Sequence, residues 1–333
     1  MTTATMTEGG TAAGGRPGMP EREVVVGVRE PAATAAFCLI LTAPGCGPLP
    51  GWSPGAHIDV LLPGGLVRQY SLCGDPADRA SWRICVQREP DSRGGSAWLA
   101  EQARPGTVLR VRGPRNNFAL VPAPRYRFLA GGIGITPLLP MIAEVSAAGR
   151  PWRLLYGGRT RASMAFTGEL SGYGGAVTLA PQSEAGLLDL DSYLAAPQAG
   201  EAVYCCGPEP LIEAVEQRCA SWPAGSLHVE RFAADPREAA SRDGDLAFEV
   251  TCSRSGLTLT VPPGRSILAA MREAGLDVDF SCTEGICGTC ETAVLGGVPD
   301  HRDSLLTAQE REAGDTMMIC VSRCRAGPLV LDL

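Results

Sequence analysis

The sequence predicts a multidomain protein: an antiparallel β-barrel, a doubly wound α/β domain and a small α+β domain. Three observations predict it. Short β-rich runs punctuated by tight turns fill residues 22–124. Strand-like and helix-like segments alternate over 125–233, the pattern of a parallel sheet. A compact segment, 246–333, holds a hairpin, an amphipathic helix and regularly spaced cysteines. Residues 1–21 hold one Arg and no apolar run, so they read as a disordered lead and not as a signal peptide. The stretch 234–245, rich in Ala, Asp and Arg without periodicity, reads as a linker.

Each element follows from local pattern. "EVVVGV" (23–28), "FCLILT" (37–42), "AHIDVLLP" (56–63), "VRQYSL" (67–72) and "WRICVQ" (82–87) are strand candidates, with "PGG" and "GDP" as turns. "SAWLAEQ" (96–102) is a short helix and "TVLRVRGP" (107–114) a closing strand. "YRFLAGG" is a strand entering a glycine turn, and "TPLLPMIAEVSAAG" is a helix with Thr136 as cap and Pro137 at its first position. "WRLLYGG" and "AVYCCGP" are further strands, "PLIEAVEQRCA" a helix of 3.6 period, and "LHVERF" (227–232) the last strand. "FEVTCSRSGLTLTVPPG" reads as a hairpin, and "SILAAMREAG" (266–275) as a helix capped by Ser266 and stopped by Gly275.

Composition excludes several classes. With 45% hydrophobic and 20% charged residues and no run of 18 apolar residues, the chain reads as globular and not membrane-spanning. A net charge of −7 argues against nucleic-acid binding. There is no lysine; all 29 basic residues are Arg. Residues 246–333 hold 12 Asp/Glu against 7 Arg, so most of the imbalance lies there. The 13 cysteines, an odd number without a secretion signal, point to the cytoplasm and reduced thiols. Cys38, Cys73, Cys85 and Cys252 sit in apolar or alternating runs and read as small core residues.

The C-terminal cysteines differ. Cys282, Cys287 and Cys290 are spaced C-x4-C-x2-C, and Cys320 follows in the strand-like "MMICVSRC". That is the plant-type 2Fe-2S spacing, in which a loop supplies three thiolates and a distant segment the fourth. Gly285 and Gly288 let the loop turn with its N–H groups toward sulfur. Structural zinc and inert thiols are the competing readings, but zinc prefers two C-x2-C pairs and one is present.

Two further constellations fit redox cofactors. "RQYSL" places Arg68, Tyr70 and Ser71 on one strand, suited to a flavin's phosphate, ring face and ring nitrogen. Arg93, Gly94, Gly95 and Ser96 precede a helix start, an anion site. "LAGGIGITP" holds Gly131, Gly132, Gly134, Thr136 and Pro137 after the first strand of the α/β unit, where such sheets bind dinucleotides. "YCCGPEP" puts Cys206, Gly207 and Pro208 at a later strand end; Cys206 is either a core thiol or a wall of that crevice.

The ordered set "RQYSL", "RGGS", "GGIGITP", "YCCGP", "HVERF" and "CTEGICGTC" with Cys320 resembles the phthalate dioxygenase reductase family, which includes vanillate demethylase reductases. The resemblance covers nearly everything after the first 20 residues. It implies a flavin barrel, an NAD domain and a β-grasp-like plant-type ferredoxin in one chain. It also implies FMN more than FAD, with Arg68, Tyr70, Ser71 and Arg93 to Ser96 as flavin contacts. Gly131, Gly132, Gly134, Thr136 and Pro137 are then nucleotide contacts, Cys206, Gly207 and Pro208 flank the nicotinamide, and Phe232 covers the flavin. Ser71, Cys206 and Phe232 are the residues nearest the chemistry.

Arg159 and Arg161 in "YGGRTRASMAF" fall where relatives select the nucleotide. They suit a 2′-phosphate, yet NADH is commoner in the family, so NADH is expected and NADPH is the alternative. The implied activity is electron transfer from NADH through flavin and cluster to a partner oxygenase, Rieske-type or else haem-thiolate. A zinc or redox-sensing module without turnover is the alternative from another class. Completeness in one chain points to a monomer. Thr283–Gly288 is expected to be the loop nearest the partner, with Ile286 at the docking surface.

Overall fold

The structure is a computed structural model that describes residues 20–89, 94–233 and 245–333. Arg93, most of the N-terminal lead and most of the linker lie outside the described residues. Three sheets follow one another along the chain, as the sequence pattern requires.

The first sheet holds β1 (Glu21–Ala33), β2 (Ala36–Thr42), β3 (His57–Leu62), β4 (Leu66–Ser71), β5 (Ser81–Gln87) and β6 (Val108–Arg115). Their order is β4-β3-β6-β1-β2-β5, antiparallel throughout. A bridge between Leu72 and Ile84 joins the two outer strands, so the sheet curls toward closure and shields its edges. Its interior is apolar, from Val24 and Leu39 to Trp82 and Val111. β1 is longer than "EVVVGV" suggests, because it bends through two bulges and so keeps pairing with β2. Helix α1 (Gly95–Gln102) covers this barrel.

The second sheet is parallel, in the order β11-β10-β7-β8-β9. It comprises β7 (Arg125–Gly131), β8 (Trp152–Gly158), β9 (Val177–Pro181), β10 (Glu201–Cys206) and β11 (Leu227–Glu230). The chain runs outward from β7 to β9 and then crosses back to β10, so the switch point lies between β7 and β10. Helices α2 (Leu138–Ala147) and α6 (Glu209–Cys219) stand where the apolar periodicity puts them. Strand β9 and the short helices α3 (Thr167–Ser171), α4 (Gln182–Ala185) and α5 (Leu190–Leu194) left no clear sequence pattern, being four or five residues each. The barrel and this unit share one core, in which Cys38, Cys73 and Cys85 pack with Phe128, Ile135 and Leu138.

The third sheet, β13-β12-β16-β14-β15, is mixed. It contains β12 (Phe248–Cys252), β13 (Thr258–Val261), β14 (Glu291–Asp300), β15 (Thr316–Met318) and β16 (Arg323–Leu331). Helix α7 (Ile267–Glu273) packs Ile267, Leu268 and Met271 into its core, and the Ser266 hydroxyl accepts from the Ala269 N–H at 3.1 Å. A second helix, α8 (Ala308–Ala313), starts with a reciprocal Thr307–Glu310 cap. Asp245, at the end of the expected linker, is tied down: its carboxylate pairs with Arg302 at 2.5 Å and Arg323 at 3.6 Å.

Candidate functional site

The barrel site starts on β4. Arg68 meets the start of α1 so closely that a Cβ on Gly95 would lie 2.5 Å from Arg68 Cγ. A guanidinium beside a helix start suits an anion, and only glycine leaves room for it. Gly94 enters that helix with φ +97, and the Ser96 hydroxyl accepts from the Glu89 N–H at 3.3 Å. Tyr70 packs against the barrel core, and burial pushes its phenol up. Ser71 is buried, with its hydroxyl 3.5 Å from Glu230 Oε2.

The α/β unit brings its two glycine turns together. A Cβ on Gly134 would sit 2.3 Å from the Cys206 carbonyl oxygen, so the "GGIGITP" and "CCGP" turns are packed backbone to backbone at the switch point. Thr136 does not cap α2 as expected. Residues Gly132–Ile135 form a 3-10 turn, so the Thr136 hydroxyl donates to the Ile133 carbonyl at 2.9 Å and the helix begins at Leu138. Cys206 is fully buried, and burial pushes its thiol far up, so it stays protonated.

Glu230 was not singled out from the sequence. It opposes Cys206 across the β10–β11 ladder and reaches Ser71 from 159 residues away. Burial holds its carboxyl at about 8, despite the Ser71 hydroxyl acting the other way, so it is neutral at pH 7. The available signal was an acid on the last residues of a parallel strand, beside the crevice.

The four C-terminal thiols gather. Cys282 contacts the Cys287 and Cys320 thiols, and Cys320 contacts Cys290. Those thiols, with the Glu284 and Ile286 N–H groups, hold Cys282 far below the usual thiol range. The Glu284 N–H lies 3.3 Å from its sulfur. Among the described residues no three His, Cys, Asp or Glu groups close on a single-ion position. The thiols instead form one run of contacts, 287 to 282 to 320 to 290, the four donors that a binuclear core needs, so the residues fit that cluster. Cys320 lies in the turn after β15 and not in strand, which lets it bend back toward the loop. Gly285 and Gly288 both hold φ +73, the left-handed region that the loop's turns need.

One cavity joins the three units. It is lined by Ser71 and His57 of the barrel, Glu230 and Phe232 of the α/β unit, and Ile286 of the cysteine loop. Ile286 is half-buried and lines this cavity. The barrel grips the loop: Asn117 Nδ2 donates to the Cys287 carbonyl at 2.7 Å and Arg112 to the Phe280 carbonyl at 3.3 Å. Thr283 is the exposed residue of the arc. Phe232 is 42% exposed and lies at the cavity rim. His57 is only 5% exposed, and neither ring nitrogen finds a hydrogen-bond partner among the described residues. Burial and the Arg115 cation push it down to about 3. Leaving one such buried polar atom unpaired costs about 1–3 kcal/mol, so the arrangement asks for an explanation.

Comparison with known proteins places this geometry. Residues 250–325 match the model of the 2Fe-2S iron-sulfur cluster binding domain. The chain is 48% identical over 295 residues to a phenoxybenzoate dioxygenase subunit beta of Ectopseudomonas oleovorans, covering 88% of this chain and 91% of that one. It superposes on solved phthalate dioxygenase reductase with TM-score 0.69 and 36% identity, over 94% of this chain and 98% of that one. The chain belongs to the phthalate dioxygenase reductase family. Like the family's named members it is an oxygenase reductase, an oxidoreductase that works with flavin and a 2Fe-2S cluster. A third match is to an intact type IV self-sufficient cytochrome P450 monooxygenase, at TM-score 0.87 and 44% identity. It covers 94% of this chain but 41% of that one. No helix among the described residues of this family member is long and apolar enough to cross a membrane.

Proposed function

We propose that this reductase takes electrons from NADH and delivers them singly to a Rieske-type oxygenase. When bound, the cofactors would supply the chemistry: hydride acceptance by the flavin and one-electron transfer by the cluster. The observation that carries the reading is the cavity shared by Ser71, Glu230, Phe232 and Ile286, where all three units meet. Arg68 with the α1 start holds the flavin phosphate, which suits the single terminal phosphate of FMN. Tyr70 and Phe232 flank the ring, and Ser71 orients its N5 edge. Gly131, Gly132, Gly134, Thr136 and Pro137 seat the nucleotide, and Cys206, Gly207 and Pro208 bring the nicotinamide to the ring. Cys282, Cys287, Cys290 and Cys320 hold the cluster. The 13 free thiols fit a reducing cytoplasm.

Direction follows from potentials. Plant-type clusters lie near about −400 mV and Rieske centres at about −150 to +300 mV, so the last transfer runs downhill. A haem-thiolate partner is the second reading, favoured by the 44% identity to part of the P450 protein. The test is anaerobic addition of NADH followed by reconstitution with each oxygenase type. Flavin and iron–sulfur bands that do not bleach would end the reductase reading. Product formed with a P450 and with no Rieske protein would reverse the choice of partner.

NADH over NADPH is supported by Glu184. Its carboxylate pairs with Arg161 at 2.8 Å, beside the β8 end where a 2′-phosphate would need a free cation. Arg159 beside it is exposed, so the preference rests on the Glu184 charge, which repels a 2′-phosphate. Glu184→Gln frees Arg161 and removes the negative charge. The NADPH/NADH ratio of kcat/KM is then expected to rise about tenfold. An unchanged ratio would place the nucleotide's ribose elsewhere.

Glu230 keeps a proton between Ser71 and Cys206. Its folded value of about 8 lies above the 4.5 of a free carboxyl. Between those values the unfolded chain ionises first, so Glu230's contribution to stability falls as pH rises through that window. Function is expected to follow the same sign, with flavin reduction by NADH declining as pH passes about 8. Glu230→Gln, which stays neutral, is expected to flatten that inflection in stopped-flow pH profiles. An inflection that persists in the variant belongs to another group.

A further inference from the structure

We propose that His57 contacts the bound flavin ring at the end of the cavity nearest the cluster loop, supplying the hydrogen bond that the protein leaves open there. The proposal rests on the flavin reading above and adds a residue to it.

The strand ladder fixes the position. His57 opens β3 and stands opposite Ser71 on β4 and Arg115 on β6. Directly opposed residues project from the same face of a sheet, so His57 and Ser71 look into the same cavity. The same cavity is lined by Ile286 and by Asn117, whose amide holds Cys287. His57 thus lies where the flavin site meets the cysteine loop.

Nearby protein groups are already engaged. Asp59 accepts both Arg115 nitrogens, at 2.7 and 2.5 Å, and Gln69 at 3.2 Å. The Ser281 hydroxyl lies 3.5 Å from Arg115. A neutral imidazole carries one N–H and one lone pair, and buried groups of that kind are paired in native proteins. A planar heteroaromatic ring edged with carbonyl and ring-nitrogen acceptors supplies the missing partner. No bond is made or broken at His57, and no proton leaves it. Its effect is on how strongly the ring is held and on the ring's electron affinity.

The test uses the full chain, stripped of flavin and titrated with FMN and with FAD. Wild type is compared with His57→Phe, His57→Leu and His57→Gln. Loss of one buried hydrogen bond is expected to weaken flavin binding about tenfold in the Phe and Leu variants. Their flavin band and flavin midpoint potential should shift, while the iron–sulfur spectrum stays as in wild type. Gln, which keeps an N–H donor, should recover most of both. Wild-type binding, band and potential in either apolar variant would overturn the assignment. Equal weakening in the Gln variant would also overturn it, by assigning the effect to packing. If wild type itself binds neither flavin, the flavin reading falls, an outcome separate from any result on the variants.

Discussion

Replacing Cys320 with serine is expected to cut electron delivery to a protein acceptor by about a hundredfold or more, while NADH-dependent ferricyanide reduction stays within about twofold. The asymmetry follows from where the residue sits. Cys320 contacts Cys282 and Cys290, so it closes the thiol set from a turn 30 residues beyond Cys290. A hydroxyl is a poor iron ligand beside a thiolate, and a binuclear core with three thiolates loses one corner. The barrel and the parallel sheet have cores separate from the one that contains Cys320, so they fold as before and still pass electrons to a small soluble acceptor. Iron and acid-labile sulfide content, the visible iron–sulfur band and the two assays check this together. A serine variant with full iron and sulfide and wild-type cytochrome c reduction would remove Cys320 from the ligand set.

What the sequence made legible were features that local pattern carries alone. Cysteine spacing is local in the 282–290 loop, and Cys320 completes it at a distance already familiar for such loops. The glycine turns at 131–134 and 206–208 are also local, because close backbone approach demands residues without a Cβ. Glu230 was invisible for the opposite reason. Its partner Ser71 is 159 residues away, and a single acid in "HVERF" looks like a polar strand end until the barrel closes over it. His57 in "GAHIDV" similarly reads as an ordinary strand residue, since its isolation from partners exists only in the folded cavity. Helices of five residues or fewer in 160–200 carry too few turns to show a period.

Ile286 belongs to the loop expected to meet a partner and also lines the cavity, so it offers the sharper test of the electron path. A loop between cluster ligands is expected at the surface, because its role is to meet a partner. Here Asn117 and Arg112 draw it against the barrel, and Ile286 lines the cavity with Ser71 and Glu230. Ile286→Glu puts a half-buried carboxylate into the cavity that neutral Glu230 also lines, with no cation among the lining residues except Arg231, already paired with Glu209 and Glu216. An unpaired charge shut away from water is costly, so the loop is expected to swing outward to hydrate it. Displacement of about 1 Å between reacting groups can cost about a hundredfold, and transfer from flavin to cluster should slow on that order. Reduction of the flavin by NADH should hold within about twofold, because Ser71, Cys206 and the glycine turns are untouched. Stopped-flow traces that follow the flavin and iron–sulfur bands separately distinguish the steps. Ile286→Val, which keeps the wall apolar, should leave both near wild type. Slowed delivery to the oxygenase with an unaltered flavin-to-cluster step would assign Ile286 to the docking surface.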